Sequence, residues 1–211
     1  MDLWSPGEWT ATQAAFAAVV AAAAVVALWR AARDSYRTAS TRTVAYAVVL
    51  VAIAVALGQL SVPVGMAKVA PAQHMVNLIA AVLLGPWWAT LVAFVAAVVR
   101  NATGTGTLFA FPGGMIGAFL AGVAWRATRR PAMAALGEVV GTGIVAALVS
   151  AWVVAPVILG RPVAMAGLLV AFLLSSVGGN ALGLAVLSAL RRARVVDLDV
   201  ASGPDLGRPG D

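Results

Sequence analysis

The feature that most constrains this chain is a succession of apolar runs, uncharged but for Glu138, separated only by short basic or Gly/Pro-containing segments. Trp9 to Trp29, Thr43 to Val62, Phe111 to Trp125, Ala132 to Ile158 and Val163 to Leu190 are such runs. A helix needs about 20 apolar residues to cross the hydrocarbon core of a bilayer, and in lipid its backbone satisfies its own polar groups. A soluble domain is excluded, because 62% of the residues are hydrophobic, only 10% are charged and the mean hydropathy is +0.97, too little polar surface to meet water. The chain reads as an all-α integral membrane protein.

The formal charge of +6 would point to nucleic acid in a soluble protein. Here the basic residues gather between the apolar runs, which is a pattern of membrane topology and not of a phosphate-binding face. The sequence has no cysteine and one histidine, so it supplies neither a disulfide nor a metal cage. No Ser/His/Asp set, acid/base carboxylate pair or His-Glu-x-x-His sequence is present, and no enzymatic chemistry or cofactor is expected.

The first run is not a signal peptide. Asp2 and Glu8 precede it where a signal would be basic, and Arg30, Arg33, Arg37 and Arg42 follow. It is expected to be a retained helix with its N-terminus outside, within a segment 1–40 that ends in a basic cytoplasmic linker. Met75 to Val99 is also uncharged and could form one span, but Gly85-Pro86 interrupts it. With a cytoplasmic turn there, Arg30, Arg33, Arg37, Arg42, Arg126, Arg129, Arg130, Arg191, Arg192 and Arg194 lie inside, and only Lys68, Arg100 and Arg161 outside. Treating the stretch as one span reverses every later loop and destroys this bias. The sequence therefore predicts seven helices: an extra N-terminal one, then six over 41–194, with a disordered cytoplasmic tail over 195–211.

Small residues recur at spacing four, as Gly113-Gly117-Ala121, Gly114-Ala118-Gly122, Gly137-Gly141 and Gly179-Gly183. They let membrane helices approach closely.

Polar residues inside such a bundle are costly and therefore informative. Gln73, His74 and Asn77 open one helix on a single face on its outer side, where they could hold a small polar heterocycle or bond neighbouring helices. Arg100-Asn101 precedes Thr103-Gly104-Thr105-Gly106-Thr107, with Phe109 and Phe111 after it. This loop could fold over a ligand while Arg100 binds an oxygen or phosphate; alternatively Arg100 snorkels to headgroups. Asn180 and Trp152 are candidates for the floor and wall of a pocket, or for interhelical and interfacial roles. Glu138, alone among the carboxylates in an apolar span, is expected to pair with a neighbouring helix or with Arg126, Arg129 or Arg130.

Taken together, Val62-Pro63-Val64-Gly65-Met66-Ala67-Lys68-Val69, Gln73-His74-Met75 with Asn77, Leu84-Gly85-Pro86-Trp87, Arg100-Asn101 with Gly104-Thr105-Gly106-Thr107, and Phe111-Pro112-Gly113 resemble the ThiW family over about Thr43 to Arg192. These are substrate-binding (S) components of energy-coupling-factor transporters. The resemblance implies a six-helix S-component bundle in the plasma membrane that captures a vitamin precursor from outside, hydroxyethylthiazole or another thiamin-related precursor. It implies a transmembrane T component and a pair of ATPase subunits as partners, with docking through small residues of the first helix of the six, here Ala52 and Ala56. Within the resemblance, His74 and Asn77 are the candidate hydrogen-bond partners of the ligand. Gln73 and Asn101 would support them, and Phe109, Phe111 and Trp152 would cover its ring.

Two other classes compete with this reading. A sensory or scaffolding membrane module would bind no small molecule, and a self-contained proton-coupled carrier would need Glu138 to titrate during transport.

Overall fold

The computed structural model describes residues 26, 28–64, 67–160 and 162–194. The expected N-terminal membrane helix up to residue 25, Arg161 and the tail 195–211 lie outside the described residues. The chain divides into two compact units, Met1–Thr38 and Ala39–Asp211. In the first, Leu28–Arg37 is helical (α1) and carries Arg30, Arg33 and Arg37. Arg33 stacks on Trp29, its guanidinium carbon 5.1 Å from the ring centroid.

The second unit begins with α2, Thr41–Leu57. Ser40 caps it, its side chain accepting from the Thr43 N–H at 3.1 Å, which satisfies one of the amides a helix start leaves free. The helix ends at Leu57 and not at Val62. The Val-rich segment beyond it instead forms a small antiparallel pair, β1 (Val62–Val64) and β2 (Ala67–Val69), in register Val62 with Val69 and Val64 with Ala67. Pro63 has no N–H to continue a helix, and branched valines favour extended backbone.

α3, Pro71–Ala102, reverses at Gly85, whose φ of 79° and ψ of 179° are not helical. Arg100 hydrogen-bonds Gln73 across this reversal, a contact impossible along one straight helix, so 71–84 and 86–102 are the arms of a hairpin. Their rises are roughly 21 and 25 Å at about 1.5 Å per residue. Then come α4 (Ala110–Thr128), α5 (Pro131–Ile158) and α6 (Met165–Arg192). α5 is not uniform, since Gly141–Ala146 and Ser150–Ile158 are π-helical. α5 and α6 each have 28 residues, about 42 Å of helix, and are long enough to cross a membrane.

The expected small-residue contacts bring these helices together. A Cβ on Gly141 would lie 2.9 Å from the Gly117 Cα, and Gly122 packs directly on Pro86. Gly179 abuts Pro71 and His74, and Gly183 abuts Leu78, so α6 runs parallel to the first arm of α3. The arm begins level with the middle of α6, and 165–178, roughly 21 Å of α6, rises beyond it. Two apolar cores result. One surrounds Leu78, Val82, Val92, Trp125 and Ala134. The other, beside the rising part of α6, joins Phe109, Ala147, Ala155, Leu168 and Phe172.

The unit has two distinct ends. At one, the Gly85 turn lies beside Arg126, and Arg42, Arg129, Arg130, Arg191 and Arg192 occupy helix termini on the same side. At the other, the end of α2 at Gly58 meets Arg100.

Candidate ligand-binding site

The short first arm of α3 decides where the polar residues lie. His74 stands in its first turn, yet that turn is level with the middle of α6, so the residue is buried within the bundle and not at an outer surface. There it meets Glu138, which arrives from the opposite end on α5. The His74 Nδ1 lies 2.6 Å from Glu138 Oε1.

The carboxylate is fully buried and is met by polar groups from three helices. Asn77 Nδ2 donates to Oε1 at 3.3 Å and to the Gly114 carbonyl at 3.3 Å. The Thr142 hydroxyl lies 2.9 Å from both Oε1 and the Gly113 carbonyl, with one proton to share between them. Asn180 Nδ2 donates to Oε2 at 2.7 Å and to the Ser176 carbonyl at 2.8 Å. A buried carboxylate without such partners would be prohibitively costly. With them, it fastens α3, α5 and α6 to one point.

Above this cluster is a cavity lined by Gln73 and His74 on α3, Phe109, Ala110 and Gly113 at the start of α4, Thr142 on α5, and Phe172 and Ser175 on α6, with Lys68, Ala70, Arg100 and Thr107 completing it. Its walls combine two aromatic rings with a few convergent polar groups, the usual make-up of a small-molecule site. Ser175 Oγ accepts from the Ala70 N–H at 2.8 Å, leaving its own O–H to donate. Lys68 of β2 donates to the Thr105 carbonyl at 2.8 Å, tying the β-hairpin to the loop between α3 and α4.

That loop is not an anion cradle. The amides of Thr105 and Gly106 both donate to the Arg100 carbonyl, at 2.9 and 2.8 Å. Arg100 does not snorkel either. It is 2% exposed, and its guanidinium donates to Gln73 Oε1 and to the Gly58 carbonyl at 3.1 Å. It clasps α2 to the α3 hairpin, while its Nε–H has no partner among the described residues and the residue lines the cavity.

Other expected site residues are redistributed. Phe109 is buried and lines the cavity, but Phe111 packs on Phe94, with centroids 6.0 Å apart, outside the lining. Trp152 is 66% exposed and does not wall the cavity. Asn101 binds the Ala97 and Thr107 carbonyls at 2.8 and 3.2 Å, which shapes the loop without reaching the cavity. Asn77 and Asn180 lie behind the lining and hold Glu138. Glu138 itself pairs with none of Arg126, Arg129 and Arg130.

Lys68, Thr142, Phe172 and Ser175 were not singled out as site residues from the sequence. Thr142 follows Glu138 by four positions on the same helix, which was a usable signal. Phe172 and Ser175 are indistinguishable from ordinary membrane-helix residues without the fold. Ala52 and Ala56, expected to serve docking, are exposed on α2, whereas the nearby small residues Ala54 and Gly58 are buried against the unit's own helices.

A family model described as thiamine-precursor transporter protein (ThiW) matches residues 44–193. No curated protein and no solved structure matches the chain.

Proposed function

The chain belongs to the ThiW family of thiamine-precursor transporter proteins, and from that premise we propose that it is the substrate-capturing S component of an energy-coupling-factor importer that binds hydroxyethylthiazole. The observation that carries this reading is the cavity between Phe109 and Phe172 with His74 at its base. A thiazole ring suits an aromatic-walled slot, and its nitrogen and hydroxyl suit an imidazole, a serine hydroxyl and an ammonium. The engagement of the Thr105 and Gly106 amides by the Arg100 carbonyl, which leaves these two loop amides closed to a phosphate, supports the free alcohol.

The six helical rods between Thr41 and Arg192, with the arms of α3 counted separately, agree with an S-component bundle. The basic end would face the cytoplasm by the positive-inside rule, and the cavity would open on the other side. ATP hydrolysis would belong to a pair of partner ATPases coupled through a transmembrane T component. The exposed Ala52–Ala56 row of α2 is the surface we assign to that docking. A proton-coupled carrier is less well supported, because Glu138 is fully buried and held by side chains of three helices.

Calorimetric titration of the purified protein with hydroxyethylthiazole tests the proposal. His74→Ala should weaken binding at least about tenfold, the weight of one hydrogen bond to a polarised group. Equal affinity in wild type and variant would remove this site, and no binding to the wild type would remove the ligand.

A further inference from the structure

We propose that Glu138 is a positioning residue for ligand recognition: it holds the His74 ring with Nδ1–H directed at the carboxylate, so that Nε2 is the atom offered to the ligand. The inference rests on the cavity being the ligand site.

The geometry behind it is local. Nδ1 lies 2.6 Å from Glu138 Oε1, and His74 also lines the cavity. Of the remaining groups in contact with the carboxylate, Asn77 Nδ2 and Asn180 Nδ2 each bring a hydrogen to it, and the Thr142 hydroxyl divides its one hydrogen between it and the Gly113 carbonyl. The hydrogen between Nδ1 and Oε1 therefore belongs to the ring, as in histidines oriented by a carboxylate on the nitrogen that faces away from the ligand. Gly179 closes behind the His74 Cβ, which leaves the ring little freedom to turn. Asn180 is fixed in the same sense, because its Nδ2 faces two acceptors, Glu138 Oε2 and the Ser176 carbonyl; turning the amide would set oxygen against oxygen.

The sequence contains a single histidine, so 15N-histidine labelling gives the spectrum of this ring alone. In the wild type at one fixed pH, Nδ1 should carry a proton, and hydroxyethylthiazole should move the Nε2 resonance while Nδ1 stays protonated. A neutral ring protonated only at Nε2, or a ligand response confined to Nδ1, would overturn the proposal. Glu138→Gln preserves side-chain size but offers one oxygen where His74, Asn77 and Asn180 all donate, so an Nε2–H form should appear and ligand affinity should fall about tenfold. Weaker binding with an unchanged ring spectrum would mean that Glu138 acts only on stability, and would also overturn it. The wild-type spectrum needs neither variant nor ligand, so a protein that fails to bind hydroxyethylthiazole removes the proposed function without deciding this point.

Discussion

Gly85 and Gly122 show how much of this unit depends on the absence of a side chain. Gly85 combines φ of 79° with ψ of 179°, a region essentially closed to other residues, and a Cβ there would lie 2.9 Å from Arg126 Nη2. Gly85→Ala should destabilise the protein by about 1–3 kcal/mol, read as an earlier unfolding transition in detergent. Gly167→Ala is the control: this helical glycine has open space around it, and the change should be neutral or stabilising. At this scale the sequence was legible where backbone chemistry is decisive, since Gly85-Pro86 announced its turn. It was less legible for Arg100 and Glu138. Both were recognisable as out of place in apolar surroundings, but their partners, Gln73 with Gly58 and His74 with Asn180, come from distant positions that no local pattern relates.

Among the elements, β1–β2 is the one the sequence concealed. Its valines continue the apolar run of α2, so hydropathy alone extends the helix through them. The pair lies over the cavity and is joined to the α3–α4 loop by Lys68 and the Thr105 carbonyl, with Gln59 Nε2 reaching Thr105 Oγ1 at 3.3 Å. If the hairpin closes the site, Lys68→Ala should speed hydroxyethylthiazole release about fivefold, the worth of one modest hydrogen bond, and change association less. Stopped-flow measurement of both rates checks this, and an unaltered release rate would count against a closing role. α5 was legible as a long apolar helix, but its π-helical stretches were not. A π turn changes which residues share a face, so assigning Trp152 to the pocket from regular helical spacing had no secure basis.

For the molecule as a whole, the basic clusters and the Gly85 turn were sufficient to predict which helix ends belong together, because charge between apolar runs is a whole-chain property. The depth of the site was not legible, since it depends on α3 having arms much shorter than α5 and α6. The proposed orientation has a direct test, made simple by the absence of cysteine. Thr103→Cys and Thr128→Cys, both at exposed positions, should react with an impermeant thiol reagent from outside and from the cytoplasm respectively, and the opposite pattern would invert the topology. The short arms of α3 have one more consequence. From His74 to Gly85 there is roughly 16 Å of helix at about 1.5 Å per residue, against a hydrocarbon core of about 30 Å. A precursor bound at His74, as proposed, would thus have completed about half its translocation by binding alone. What remains beneath it is a seam closed by Gly122 on Pro86 and Gly183 on Leu78, joints so bare of side chain that helices could part there without first unlocking interdigitated residues.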